Sequence, residues 1–160
     1  MRSFFKIAAF FAVAFASSNS LVAAPLYGAN ADEFYVVVNS ANNFSGTDTE
    51  TKTLVRRLFL KSIKKWPGGE KAVPFSRKDT NPAQAALLTE ILSMSNAEYG
   101  QYWARQKQTT GDTPPHAVGS KSILLRLIRR EPGAVGIING SGPEPKGVKV
   151  LMKISNQAAF

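Results

Sequence analysis

Between Ala72 and Leu92 the chain passes through a short apolar run (Ala72, Val73, Pro74, Phe75), a polar corner (Ser76 to Asn81) and an amphipathic run. The junction Asn81-Pro82 constrains what this stretch can become. Asparagine is a good helix N-cap, and proline suits the first helical position, where its missing N–H costs nothing. Leu87, Leu88, Ile91 and Leu92 then recur at helical spacing. The stretch therefore reads as strand, tight corner, helix. Such a corner leaves the first N–H groups of the helix facing the loop, with the positive end of the helix dipole behind them. Arg77 and Lys78 stand beside those donors, so the corner can hold an anion. The competing reading is a plain strand-to-helix turn with solvated charges, since most capped helix starts bind only water.

A chain of 160 residues is one domain's worth. Its first part reads as a signal peptide. Arg2 and Lys6 flank the start of an apolar run, Ile7 to Ala16, too short to span a bilayer but right for a signal-peptide core. Ala29-Asn30-Ala31 places small residues where a signal peptidase reads them. Cleavage after Ala31 leaves 129 of the 160 residues, an exported domain over residues 32–160 with a periplasmic address. The chain has no cysteine, which excludes a lipid anchor on an N-terminal Cys, disulfides, thiol catalysis and Cys-based metal sites. Such a domain stands on its apolar core alone, and about 130 residues suffice to build one. The leader takes two of the 20 basic residues and none of the 11 acidic ones, so the mature charge is +7. That balance favours anionic partners. The basic residues form no continuous stripe with interleaved aromatics, so nucleic acid is not among the expected ones.

Along the mature chain, Phe34 to Val38 reads as a buried strand ending at Asn39. A helix follows, with Leu54, Val55, Leu58 and Phe59 on one face and a cap among Thr47 to Thr49. Trp66-Pro67-Gly68-Gly69 is a turn before the Ala72–Phe75 strand. Beyond the helix that opens at Pro82, Ser95 and Glu98 have capping-box spacing. Tyr99, Tyr102 and Trp103 share one face of the helix they open. Core packing is the expected role of that face, ahead of a ligand surface. Gln106 to Gly119 reads as a loop, with the lone His116 solvated. Ser120 caps a last helix whose apolar face is Ile123, Leu124, Leu127 and Ile128, and Pro132-Gly133 stops it. Ala134 to Ile138 and Val148 to Ile154 are the closing strands. This order specifies one α/β domain with a mixed sheet, three layers deep. No nucleophile elbow, phosphate loop, zinc-binding helix or dinucleotide fingerprint occurs. The carboxylate pairs Asp48 with Glu50 and Asp79 with Glu90 read as solvated helix-start residues. No enzyme activity, metal or cofactor is expected.

Several segments, in order, resemble the small single-lobe relatives of the phosphate-binding proteins of ABC transporters. Val36-Val37-Val38-Asn39 looks like the opening strand. Leu58-Phe59-Leu60-Lys61 leading to Trp66-Pro67-Gly68-Gly69 is similar to the family's Ile-Phe-Leu-Gly-Lys and Trp-Pro-Asp-Gly. Ser93-Met94-Ser95 with Tyr102-Trp103 resembles its Gly-Met-Ser and Tyr-Trp. Thr110-Gly111 with Pro114-Pro115, then Gly119-Ser120, then Pro132-Gly133-Ala134-Val135-Gly136-Ile137 complete the set. The resemblance implies one lobe of a type II periplasmic binding protein. It implies a strand-to-helix corner that clasps phosphate or a similar oxyanion through Arg, Asp and a hydroxyl-rich run. Arg77 and Asp79 keep that spacing, Thr80 and Asn81 stand in place of the small hydroxyl run, and Pro82 removes one N–H.

Two functions are carried forward from these residues. The leading one is a non-enzymatic, periplasmic solute-binding-like protein. Its ligand-binding residues are Arg77, Asp79 and Thr80, the N–H groups after Asp79, Ser120, and Asn39 at a strand end facing the same cleft. A domain the size of one lobe implies weak binding of the oxyanion, and a membrane transporter or sensor is the implied partner. The alternative is an envelope interaction module, an accessory or sensor part with no small ligand.

Overall fold

A computed structural model of the chain describes residues 33–140 and 143–155. The expected signal peptide at residues 1–31 and the first residue of the expected mature domain lie outside the described residues.

The fold is α/β. Five strands form one mixed sheet in the order β3-β2-β4-β1-β5: β1 (Glu33–Asn39), β2 (Val73–Arg77), β3 (His116–Val118), β4 (Ala134–Asn139) and β5 (Val148–Ser155). β2 runs parallel to both β3 and β4, whereas β1 runs antiparallel to β4 and β5. The helices are α1 (Asp48–Phe59), α2 (Pro82–Ala86), α3 (Asn96–Thr109) and α4 (Lys121–Arg130). α2 continues without a break into a wider π-helical segment, Leu87–Leu92, which ends where Ser93 turns left-handed at φ 52°.

The side-chain alternation of β1 builds two cores, one on each face of the sheet. Phe34, Val36 and Val38 join Val135 and Ile137 of β4 beneath α1, α2 and the π segment. Tyr35 and Val37 join Ala134 and Ile138 beneath α4. Both capping boxes form. Thr47 and Glu50 exchange hydrogen bonds at the start of α1, and Ser95 and Glu98 do so at the start of α3. Asn81 caps α2, its side chain accepting from the Ala83 N–H at 2.9 Å.

Three expectations change at the edges. The loop read over Gln106 to Gly119 is shorter: α3 runs to Thr109, and His116–Val118 is the edge strand β3. Ser120 is the N-cap residue of α4 by position, yet its hydroxyl pairs with that of Ser122 instead of a backbone N–H. The apolar face of α4 is rotated, with Leu124, Leu125 and Ile128 buried while Ile123 is 49% exposed. The sheet sets that rotation. α4 lies so close over β4 that a Cβ at Gly136 would meet the ends of Leu124 and Ile128 at 3.1 Å.

Gly133 makes the tightest approach in the fold. Its carbonyl accepts from the Val73 N–H and from the Trp66 indole N–H, both at 2.9 Å. A Cβ on it would lie 1.8 Å from the Lys71 carbonyl oxygen. Gly133→Ala is therefore expected to force the backbone apart and cost about 2–3 kcal/mol, read as a lower urea midpoint at unchanged slope.

The caps give the fold an acid-side dependence. Glu50 and Glu98 each accept from the N–H and the hydroxyl of the cap residue, which holds both carboxyls below their ordinary value of 4.5. The folded value is the lower one. The stabilisation is complete above the unfolded value and is lost as pH falls through the folded one. A Glu50→Gln/Glu98→Gln variant is expected to lose melting temperature less steeply than the parent between about pH 5 and pH 3.

Candidate functional site

β2 ends at Arg77, and the turn that follows uses several of its own donors. The Asn81 N–H bonds to the Lys78 carbonyl at 2.8 Å, the Ala83 N–H to the Asn81 side chain, and the Gln84 N–H to the Asn81 carbonyl at 2.9 Å. Pro82 has none to offer. The N–H groups at Asn81, Ala83 and Gln84 are thus spent inside the corner, and the Asn81 side chain fills the place at the helix start that an anion would take.

Open donors lie on the other side of the strand end. Arg77 is 4% exposed. Its N–H donates to the Gln84 side-chain oxygen at 2.9 Å, and its Nη2 donates to the Gly119 carbonyl at 3.0 Å. These two bonds hold it in place, and no ion pair with Asp79 forms. Nε and Nη1 have no hydrogen-bond partner among the described residues, and neither do the Tyr99 hydroxyl and the Trp103 indole N–H. All three residues line one half-open cavity of about 380 Å³. Asp79, Asn96, Gly100, Pro114, Pro115 and Ala117 are also in its wall, with Ser76 and Gln84 beside Arg77.

Each element supplies its donor for a local reason. The capping box starts α3 at Asn96, which sets the i, i+4 pair Tyr99 and Trp103 on the face toward β2. Their rings meet edge to face at 6.0 Å. Tyr102, on the same helix, is committed elsewhere, its hydroxyl donating to the Leu60 carbonyl at 2.6 Å. The buried Ser76 hydroxyl donates to the Pro115 carbonyl at 3.1 Å and fastens the proline wall to β2.

Burial lowers the pKa of Arg77, but a guanidinium remains charged throughout the working range. Burial raises that of Tyr99, and the negative charge of Asp79 raises it further. The Trp103 N–H pulls in the opposite direction from close by, without the geometry of a formed hydrogen bond. Tyr99 therefore stays a protonated donor past the ordinary tyrosine range. The cavity offers one buried cation, two neutral donors and a single carboxylate. The excess of donors over acceptors in that set is complementary to an anion.

A second cavity of about 320 Å³ lies near the start of β2, against Leu58, Ile63, Val73 and Phe75. Part of its polar rim is paired: Lys64 bonds Asp112 at 3.0 Å, and Lys61 donates to the Thr113 carbonyl at 2.6 Å. Among the described residues no group of His, Asp or Glu could hold a metal ion.

Of the residues singled out from sequence, Arg77 and Asp79 come together at the cavity. Thr80 is exposed and outside its wall. Ser120 is likewise outside, engaged with Ser122. Asn39 is not brought to it, because β1 runs antiparallel to β4 and ends beside the start of β4, at the opposite end of the strands. Its side-chain amide donates to the Ile128 and Arg129 carbonyls at 2.8 and 3.0 Å, closing the C-terminus of α4. Tyr99 and Trp103, read from sequence as core, are packed as expected, Trp103 buried and Tyr99 against the first core, and they also line the cavity with polar tips that lack partners among the described residues. The available signal was their type: a face carrying Tyr and Trp in place of Leu brings polar tips that need partners when buried.

No protein-family profile matches the sequence, and no curated protein matches it. Among solved structures the chain is similar to an ABC-type phosphate transport receptor from Vibrio cholerae, with TM-score 0.54 and 18% identity over 75% of this chain and 45% of that one. It is similar also to a putative phosphate ABC transporter substrate-binding protein with bound phosphate from Clostridium perfringens, with TM-score 0.52 and 16% identity over 75% and 44%. The chain thus spans less than half the length of either. At these identities the likeness is one of fold: this is the fold of a part of a solute-binding protein.

Proposed function

We propose that this chain is a non-enzymatic binding protein that takes phosphate or a similar oxyanion in the cavity at the end of β2. A signal peptide exports it, it works in the periplasm, and a membrane transporter or sensor is its partner. The observation that carries the reading is the set of four buried donor atoms on Arg77, Tyr99 and Trp103 that lack partners among the described residues. Buried donors are paired as a rule, and an oxyanion in the cavity would accept from all four.

In this reading Arg77 supplies the charge, and its hydrogen bonds to an oxyanion are of the strong, charge-assisted kind. Tyr99 and Trp103 supply neutral donors. Asp79 accepts from a protonated oxyanion, which favours hydrogen phosphate over sulfate. The cavity is half open, so each bond is worth less than in an enclosed site and the affinity is modest.

Millimolar phosphate is expected to raise the melting temperature more than sulfate or chloride at matched ionic strength. At about 100 times the dissociation constant the gain is roughly 2.7 kcal/mol, several degrees for a domain of this size. Arg77→Met should abolish the rise. In anion-free buffer the same variant should melt at or above the parent temperature, because it removes an uncompensated buried charge. Equal rises with all three salts, or a phosphate rise that survives Arg77→Met, would overturn the reading. The result would then favour an interaction module without a small ligand.

A further inference from the structure

The cavity is larger than the anion its donors call for. A tetrahedral oxyanion has five heavy atoms; at about 30 Å³ each, the share of a water in the liquid, it fills well under half of the space. The cavity holds about 380 Å³, within the range of sites for organic ligands. Much of the remaining wall is uncharged and apolar: Pro114, Pro115, Ala117 and the ring of Trp103. An inorganic ion would leave that surface wet.

Gly100 points the same way. It lies on the wall, inside α3, where glycine costs about 1 kcal/mol relative to alanine. Nothing in the fold requires glycine there, since its φ is not positive and a Cβ would meet nothing within 4 Å. A side chain there would project into open space at the cavity wall, so the glycine makes no room for any other part of the protein.

We infer that the natural occupant is an organic phosphate, with its oxyanion on Arg77, Tyr99 and Trp103 and a flat or apolar body lying over Gly100 against the proline wall. This rests on the oxyanion reading above and narrows it to phosphate monoesters with a hydrophobic body, of which phenyl phosphate is the simplest probe. Burying such a body adds stabilisation in proportion to the apolar area removed from water, which the inorganic ion cannot collect.

The test is calorimetric titration of the protein, Gly100→Leu and Arg77→Met with inorganic phosphate, phenyl phosphate and phenol at matched ionic strength. The parent is expected to bind phenyl phosphate at least tenfold more tightly than inorganic phosphate. Gly100→Leu, an exposed helix position where leucine favours the helix, should melt no lower than the parent. It should weaken phenyl phosphate at least tenfold while leaving inorganic phosphate within about twofold. Arg77→Met should remove both. Equal affinities for the two phosphates, or equal weakening of both by Gly100→Leu, would overturn the organic occupant and leave the oxyanion site standing. Binding of neither phosphate, or binding of phenol and phenyl phosphate alike with no effect of Arg77→Met, would overturn the oxyanion site and the inference with it.

Discussion

Strand β4 pairs in parallel with β2 on one side and antiparallel with β1 on the other, and the layers of the fold are arranged around it. Val135 and Ile137 face one core, and Ala134 and Ile138 the other. Gly136 carries no side chain, which lets α4 descend until Leu124 and Ile128 touch the strand. Gly133, just before the strand, ties the turn at Trp66 and the start of β2 to it through one carbonyl. The direction of β2 follows from that pairing. So does the position of Arg77, at the carboxyl end of a parallel strand with α3 and the proline segment before β3 closing over it. Crevices outside the carboxyl ends of parallel strands are where α/β sheets receive ligands.

The charge at that end is held and yet unspent. Arg77 is fastened by its own N–H to Gln84 and by one nitrogen to Gly119, and its other two nitrogens, like the polar tips of Tyr99 and Trp103, have no partner among the described residues. The neighbouring corner spends the N–H groups of Asn81, Ala83 and Gln84 on itself, with Asn81 as the internal cap. The candidate site is accordingly built from side chains of two elements far apart in sequence, and not from the backbone of one helix start.

Several parts were legible from residues alone because their causes are local. Thr47 with Glu50 and Ser95 with Glu98 satisfy donors within three residues, so spacing suffices to place α1 and α3. β1 and β4 are buried on both faces and read as continuous apolar runs. Arg77 and Asp79 stand out by resemblance and do meet at the cavity. What was not legible depends on partners. β3 has three residues and exists only because β2 offers its edge. Four positions of α4 can be drawn as a face from spacing, but the approach of the sheet selects Leu125 over Ile123. Asn39 looks like a strand-end ligand until the antiparallel direction of β1 takes it to the other end of the sheet.

By itself the sequence determined the α/β class, the places where most helices start and stop, the lack of any thiol chemistry, and an arginine in the corner between a strand and a helix, which the structure makes the last residue of β2. Each of these follows from composition, periodicity or contacts within a few residues. Only the tertiary structure decided that Tyr99 and Trp103 belong with Arg77, that Thr80, Ser120 and Asn39 do not, and that a cavity large enough for more than an ion lies between them. The physical reason is that hydrogen-bond satisfaction is a property of three-dimensional neighbours. Whether a buried donor is free depends on what the fold brings against it, and no spacing along the chain records that.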